Sequence, residues 1–140
     1  MKIVKTNFNG LKVFQGKKFT DKRGYFREVF KKKFLNKKKF VFWCMSSSKK
    51  NVLRGMHLQN KPFEQSKLVF VIKGSIMDFF VDLRKNSKTF GQYASVILKS
   101  SDRQFLYIKK GFAHGFKTLE NNTTVMYKVS NFYSPKNEIT

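Results

Sequence analysis

The sequence contains little of what several functional classes require. Of its 140 residues, one is a cysteine, two are histidines, two are prolines and eight are acidic. A single cysteine, Cys44, excludes an intrachain disulfide, and no group of cysteines and histidines has the spacing of a zinc site. We expect Cys44 to be an inert, buried thiol. The fold must therefore rest on packing rather than on covalent cross-links.

Long apolar runs are also absent. No segment approaches the roughly 20 apolar residues that a membrane-spanning helix needs, and residues 1–7 lack the apolar region of a signal peptide. We therefore expect a cytoplasmic protein that does not enter a membrane. The hydrophobic content of 41% and the 17 phenylalanines are too high for a disordered chain. We predict a single domain over residues 1–140.

Negative charge is scarce, so the formal net charge is +22. Such a charge is typical of proteins that bind polyanions. However, only 5 of the 30 cations are arginines, and arginine is the residue preferred for base readout and for bidentate phosphate contacts. We therefore do not expect a nucleic-acid partner, but the positive field favours small anionic substrates. The lysines at 31–33 and 37–39 predict a solvated face or a short amphipathic helix over 31–39.

What the sequence does contain is a series of short segments rich in Val, Ile, Phe and Tyr, which recur about every ten residues and favour an all-β fold. The predicted strands are 10–14, 24–30, 40–46, 52–58, 66–72, 75–82, 92–98, 104–108, 113–119 and 123–130. This pattern indicates a sandwich or jelly-roll barrel with a pocket at its mouth. Strand alternation predicts that Arg54 and Met56 face one side and His57 the other.

The two histidines, His57 and His114, each lie in a compact motif, and they are the side chains best suited to general base chemistry near neutral pH. The motifs are Leu53-Arg54-Gly55-Met56-His57-Leu58-Gln59 and Gly111-Phe112-Ala113-His114-Gly115-Phe116. Other polar candidates for the same pocket are Lys67, Arg23, Arg54, Asp78, Asp82, Tyr127 and Tyr133. If they converge, they suit proton abstraction beside a carbonyl, with cations to hold the enolate oxygen. A purely structural role for each residue remains open at this point.

Several motifs in order make the sequence resemble the dTDP-4-dehydrorhamnose 3,5-epimerases, which are cupin-like jelly rolls with a double-stranded β-helix. The motifs are residues 21–28 (Asp-Lys-Arg-Gly-Tyr-Phe-Arg-Glu), 52–59, Pro62 with Gln65-Ser66-Lys67-Leu68-Val69, Gly74 with Asp78, Val81-Asp82-Leu83-Arg84, residues 87–91, residues 111–116, Tyr127-Lys128, Tyr133-Ser134-Pro135 and Glu138. The resemblance runs from about Phe19 to Glu138 and implies an all-β, cupin-like domain with at most a short helix.

The resemblance also implies a role for each site residue. His57 would be the general base, Tyr127 the acid that reprotonates from the other face, and Lys67, with Arg54, would hold the developing oxyanion. Further substrate contacts would come from Gln59, His114 and Tyr133, and Asp82 would be the orienting carboxylate. Arg23 would bind the diphosphate, and Phe26 and Glu28 would hold the nucleotide base, in the partner's site if the enzyme is a homodimer. The implied substrate is a nucleotide-diphosphate 4-keto sugar, most simply dTDP-linked, with no metal and no other cofactor.

Two departures from the family accompany the resemblance. Members usually carry Gln-x-Asn-x-Ser before the Leu-Arg-Gly motif, where this chain has Phe42-Trp43-Cys44-Met45-Ser46. Members also continue into a further segment that supplies an Asp to the catalytic histidine, whereas this sequence stops at Thr140. Either another carboxylate orients His57, or its base strength is lower. Two rival functions stay open: a sugar 3,4-ketoisomerase acting on the same substrate class, and a catalytically weak cupin that binds nucleotide sugars.

Overall fold

A computed structural model describes residues 2–4, 6–35 and 39–140. Over these residues the chain forms thirteen strands and three short 3₁₀ turns. The strands are β1 (Lys2–Val4), β2 (Leu11–Gln15), β3 (Lys18–Asp21), β4 (Gly24–Arg27), β5 (Phe42–Ser48), β6 (Leu53–Gln59), β7 (Lys67–Lys73), β8 (Ser75–Asp82), β9 (Tyr93–Lys99), β10 (Gln104–Ile108), β11 (Phe112–Thr118), β12 (Thr123–Val129) and β13 (Glu138–Ile139). The turns are Lys32–Leu35, Ser100–Asp102 and Pro135–Asn137. The all-β prediction is confirmed.

The strands form two facing antiparallel sheets and one separate hairpin. The six-stranded sheet has the order β1-β2-β10-β7-β12-β5, and the five-stranded sheet has the order β13-β6-β11-β8-β9. The hairpin pairs β3 with β4. All ten predicted strands are present with ends shifted by a few residues, while β1, β3 and β13 were not predicted. None of the described helical turns is long or apolar enough to cross a membrane.

Two apolar clusters cover both faces of the six-stranded sheet. Between the sheets lies a core that includes Val69, Val71, Phe80, Leu106 and Val125. On the outer face, a second cluster contains Phe14, Leu35, Leu68, Phe70, Phe105 and Tyr107, and Phe30, Phe34 and Phe40 pack against it. Because both faces of β7 are buried, its sequence is an almost unbroken apolar run rather than an alternation.

The predicted amphipathic helix over 31–39 is instead a 3₁₀ turn at Lys32–Leu35. Its apolar side chains Phe34 and Leu35 belong to the outer cluster. Positions 36–38 of the prediction lie outside the described residues. The segment thus covers the back of the sheet whose front carries part of the site.

Candidate active site

A cavity of about 560 Å³ opens between the two sheets and brings most of the predicted site residues together. From the five-stranded sheet it is lined by Leu53, Arg54, Gly55, His57, His114 and Phe116, and from the six-stranded sheet by Phe42, Cys44, Met45, Ser46, Lys67, Tyr127 and Val129. Gln65 and Tyr133 complete the lining. Side chains from opposite sheets can therefore reach opposite faces of one bound molecule.

A bulge in β6 places Arg54 and His57 on the same cavity. His57 lies opposite His114 in the register of β6 with β11, and Arg54 lies opposite Phe116. Three steps along β6 thus match two steps along β11, which reverses the alternation of side chains. The prediction that Arg54 and His57 face opposite sides is wrong for this reason.

Glycine is required inside this bulge. Gly55 has a φ of +89°, and a Cβ on it would lie 2.6 Å from the carbonyl oxygen of His114. Only glycine accepts such a φ without strain and also permits such a close approach of two strands. The Leu-Arg-Gly part of the motif therefore has a geometric role, which is to present Arg54 beside His57.

His57 and Lys67 are in direct contact across the cavity. The Nζ atom of Lys67 lies 3.0 Å from Nε2 of His57. Burial, and then the nearby Lys67 charge, lower the pKa of His57 from 6.5 to about 4. Burial also lowers the pKa of Lys67 from 10.5 to about 8. At neutral pH the lysine is therefore charged and donates to a neutral imidazole, which is the form able to accept a proton.

Tyr127 lies on the sheet that faces His57. Its hydroxyl is 3.1 Å from the hydroxyl of Ser46 on the adjacent strand β5. Burial raises the pKa of Tyr127 above its ordinary value of 10, and the contact with Ser46 opposes this shift only in part. The phenol is therefore protonated throughout the physiological range and can act as an acid.

His114 is held by a carboxylate other than the one predicted. Its Nε2 lies 2.9 Å and 3.0 Å from the two carboxylate oxygens of Asp78, and both side chains are almost fully buried. The ring centroids of His57 and His114 are 6.5 Å apart. Asp78 thereby fixes the orientation of the second histidine of the cavity.

The prediction that Asp82 orients a pocket histidine is wrong. Its carboxylate accepts hydrogen bonds from Arg84, Ser87 and Thr89. Burial works to raise the pKa of Asp82, but these hydrogen bonds outweigh it and hold the pKa below the ordinary range. Asp82 thus anchors the loop after β8. Among the residues that the structure describes, no carboxylate hydrogen-bonds His57.

Other predicted residues lie outside the cavity. Gln59 is buried, and its Oε1 accepts a hydrogen bond from the backbone of Ser134, so it supports the segment before β13 instead of contacting substrate. Arg23 pairs with Asp21 at the tip of the β3–β4 hairpin, and its Nη2 lies 2.6 Å from a carboxylate oxygen. Phe26 is exposed and Glu28 pairs with Lys31. None of these four residues lines the cavity of its own chain.

The mouth of the cavity combines polar and apolar groups. The Nε of Arg54 donates to the Ser48 hydroxyl at 3.0 Å, which links β6 to β5. Tyr133 donates to Oε2 of Glu138 at 2.6 Å. Cys44 is exposed at the cavity, so the prediction of a buried thiol is wrong, although partial burial still raises its pKa.

Two residues of the site were missed or misassigned from sequence. Ser46, the partner of Tyr127, was visible only as the last position of the Gln-x-Asn-x-Ser pattern. Asp78 was in the initial set of candidates, and its alternation with Phe80 and Asp82 along β8 places all three on the buried face. Sequence alone could not decide which of the two aspartates meets His114. Among the described residues no group of three histidine, cysteine or acidic side chains is placed to hold a metal ion.

Comparisons with known proteins agree with this geometry. Residues 5–140 match the family model described as dTDP-4-dehydrorhamnose 3,5-epimerase. The dTDP-4-dehydrorhamnose 3,5-epimerase of Shigella flexneri is 41% identical over 143 residues, which is 99% of this chain and 79% of the relative. That of Methanothermobacter thermautotrophicus is 41% identical over 140 residues, which is 96% of this chain and 75% of the relative.

Solved structures of the same enzymes superpose closely. The enzyme of Bacillus anthracis, solved with TDP and PPi bound, has a TM-score of 0.93 and 42% identity, with coverage of 98% of this chain and 81% of that one. The enzyme of Legionella pneumophila, solved in complex with dTDP-4-keto-L-rhamnose, has a TM-score of 0.93 and 38% identity, with coverage of 99% and 76%.

Proposed function

Because this chain belongs to the dTDP-4-dehydrorhamnose 3,5-epimerase family and is thus an isomerase, we propose that it inverts C3, C5 or both in a nucleotide-linked 4-keto-6-deoxyhexose. A dTDP-linked sugar is the substrate suggested by the ligands of its relatives. One observation supports the mechanism above all: His57 in contact with Lys67, with Tyr127 on the facing sheet, around a single cavity.

The first step is proton abstraction by His57. The keto oxygen of a bound sugar accepts an N–H from Lys67, so Nε2 of His57 is released from its hydrogen bond and can take the proton of the adjacent carbon. The C–H electron pair becomes the C=C bond of the enolate, and the carbonyl π pair becomes the enolate oxygen charge beside the lysine. Transfer of the Lys67 contact to substrate also removes one of the interactions that weaken the base.

The second step is proton return from the facing sheet. Tyr127 donates its O–H proton to the carbanionic carbon from the side opposite His57, so the stereocentre is inverted. The carbonyl re-forms as the enolate pair moves to the new C–H bond. The raised pKa of Tyr127 guarantees that the phenol is protonated when the enolate forms.

The test is incubation with dTDP-4-keto-6-deoxyglucose in deuterated water, followed by NMR. We expect deuterium at C3, at C5 or at both, with the carbonyl still at C4. A carbonyl that moves to C3 would identify a 3,4-ketoisomerase instead. Tight binding of the nucleotide sugar without any exchange would identify a binding protein.

The variant Tyr127→Phe should separate the two steps. Without the phenol, His57 still removes the proton and can return a solvent-exchanged one to the same face, so deuterium enters with retention. Formation of the epimer should fall by at least about tenfold more than deuterium entry, within the range of general acid catalysis. Equal losses in both signals would contradict separate roles for the two residues.

The dependence of kcat/KM on pH should follow the two shifted groups. His57 must be neutral, so activity should rise with pH through its pKa of about 4. Lys67 must be charged, so activity should fall as pH rises through about 8. In the control variant Lys67→Arg the charge persists to much higher pH, so the alkaline fall should disappear. An unchanged alkaline fall in that variant would assign it to another group.

We also propose a homodimer in which the β3–β4 hairpin of one protomer extends the site of its partner. The hairpin forms its own two-stranded sheet, and its rings Phe19, Tyr25 and Phe26 are exposed. It also carries Arg23 outside the cavity of its own chain. A cationic, aromatic element of this kind suits the nucleoside diphosphate end of a substrate.

Mixed protomers test this arrangement. Arg23→Ala and His57→Asn chains should each be weakly active alone. Co-refolded together, they should regain about a quarter of wild-type activity, because half of the dimers are hybrids and one of their two sites is intact. Light scattering would give the oligomeric state. A mixture no more active than its components would contradict a shared site.

A further inference from the structure

Lys128 lies on the outer face of the six-stranded sheet, away from the cavity. Its neighbours along β12, Tyr127 and Val129, line the cavity. The Nζ of Lys128 lies 3.5 Å from the centroid of the Trp43 ring, 5.1 Å from that of Phe30 and 5.8 Å from that of Phe70. Partial burial among these rings lowers the pKa of Lys128. The ammonium is therefore held by aromatic faces, a cation–π arrangement.

The rings come from three separate parts of the chain. Trp43 belongs to β5, Phe70 to β7, and Phe30 to the segment that covers the outer face. In the register of the sheet, Lys128 lies between Trp43 on one side and Leu68 on the other. The adjacent row, which faces the cavity, contains Tyr127. The cation thus joins three elements directly behind the proposed acid.

Strand β5 most needs such a contact, because it is the edge strand of its sheet. On its cavity face it carries Ser46, whose hydroxyl lies 3.1 Å from that of Tyr127. On its outer face, three residues away, it carries Trp43. The backbone ladder to β12 holds only one side of this strand, so the contact of Trp43 with Lys128 adds a second restraint.

We propose that Lys128 is a positioning residue for the reaction: held in its aromatic cage, it fixes β5 against β12 and thereby keeps the Tyr127 phenol aligned through Ser46. This rests on the proposed function of Tyr127 as the acid that returns the proton. The proposal predicts an effect on proton return and little effect on proton abstraction, because His57 stands on the other sheet.

The variant Lys128→Met tests the proposal, since methionine keeps the apolar stem and removes the charge. We expect the ratio of epimer formed to deuterium incorporated to fall about tenfold, the size of a desolvated cation–π contact. Trp43→Leu should lower the same ratio from the other side of the contact. Lys128→Arg should largely restore the ratio, because guanidinium also stacks on aromatic rings. Lys12→Met, at an exposed position of β2, serves as the control for loss of one charge and should leave the ratio unchanged.

A double variant excludes a merely structural role. In a Tyr127→Phe background, Lys128→Met should cause no further loss of epimer, because its effect acts through the phenol. Full additivity, or an unchanged ratio in both Lys128→Met and Trp43→Leu, would overturn the proposal. If Tyr127→Phe alone leaves the ratio unchanged, it is the proposed function of Tyr127 that fails.

Discussion

Replacing His57 with asparagine should abolish solvent exchange at both C3 and C5 of the sugar, with a loss of at least about 10² to 10⁴ in rate. His57 is the histidine of the cavity whose Nε2 is bonded only to a lysine that the substrate can draw away. The other, His114, has its Nε2 held by buried Asp78. No second imidazole is therefore free to replace the lost base.

Asparagine is the appropriate replacement because its side-chain oxygen can still accept the hydrogen bond from Lys67. The thermal midpoint and the affinity for dTDP should stay near their wild-type values, which separates loss of the base from loss of the fold. The matched variant His114→Asn should lower exchange less. Exchange near the wild-type rate in His57→Asn would show that another group is the base.

The strands that were predicted correctly share a clear local signal. β7 and β8 are apolar segments separated by Gly74, which has a φ of +77° and makes the tight connection between them. β1, β3 and β13 have two to four residues each, and they exist only because distant segments pair with them. A window of sequence does not contain those partners, so such strands cannot be read from it.

The site was predictable in composition and less so in geometry. Motifs located His57, Lys67 and Tyr127, and all three line the cavity. The bulge in β6 depends on the fit between Gly55 and the backbone of β11, which strict alternation cannot anticipate. Likewise Asp78 and Asp82 share one face of β8. Their opposite fates follow from register, since Asp82 pairs with Phe112 beside the Arg84 loop and Asp78 pairs with Phe116 near His114.

The exposure of Cys44 illustrates the same limit. An isolated cysteine between Trp43 and Met45 indicates a buried thiol, because cysteine is among the most buried residue types. β5 is instead the edge strand beside an open cavity, so its side chains remain accessible on both faces. The position of a strand within its sheet, and not its hydrophobicity, decides this outcome.

The stability of the fold and the chemistry of the site conflict most clearly at Lys67. The residue is only 5% exposed and has apolar neighbours on β7. A charged ammonium there is desolvated, which is why its pKa falls from 10.5 to about 8. Below pH 8 the folded state must hold a proton that the unfolded chain binds more tightly, so the charge destabilises the fold at neutral pH.

Lys67→Met should therefore lose activity and gain stability. Turnover should fall by roughly 10² or more, as for removal of one preorganised oxyanion donor, while the affinity for dTDP changes less. At pH 7 the free energy of unfolding should rise by on the order of 2 kcal/mol, given about 1.4 kcal/mol per unit of pKa shift. Urea titrations at pH 7 and pH 10 would measure this, and the gain should shrink at pH 10, where the wild-type lysine is neutral in the folded state. Lys73→Met, which removes an exposed charge from the same strand, controls for net charge. If Lys67→Met is instead less stable than this control at pH 7, the buried lysine stabilises the fold, and the conflict between function and stability at this position does not exist.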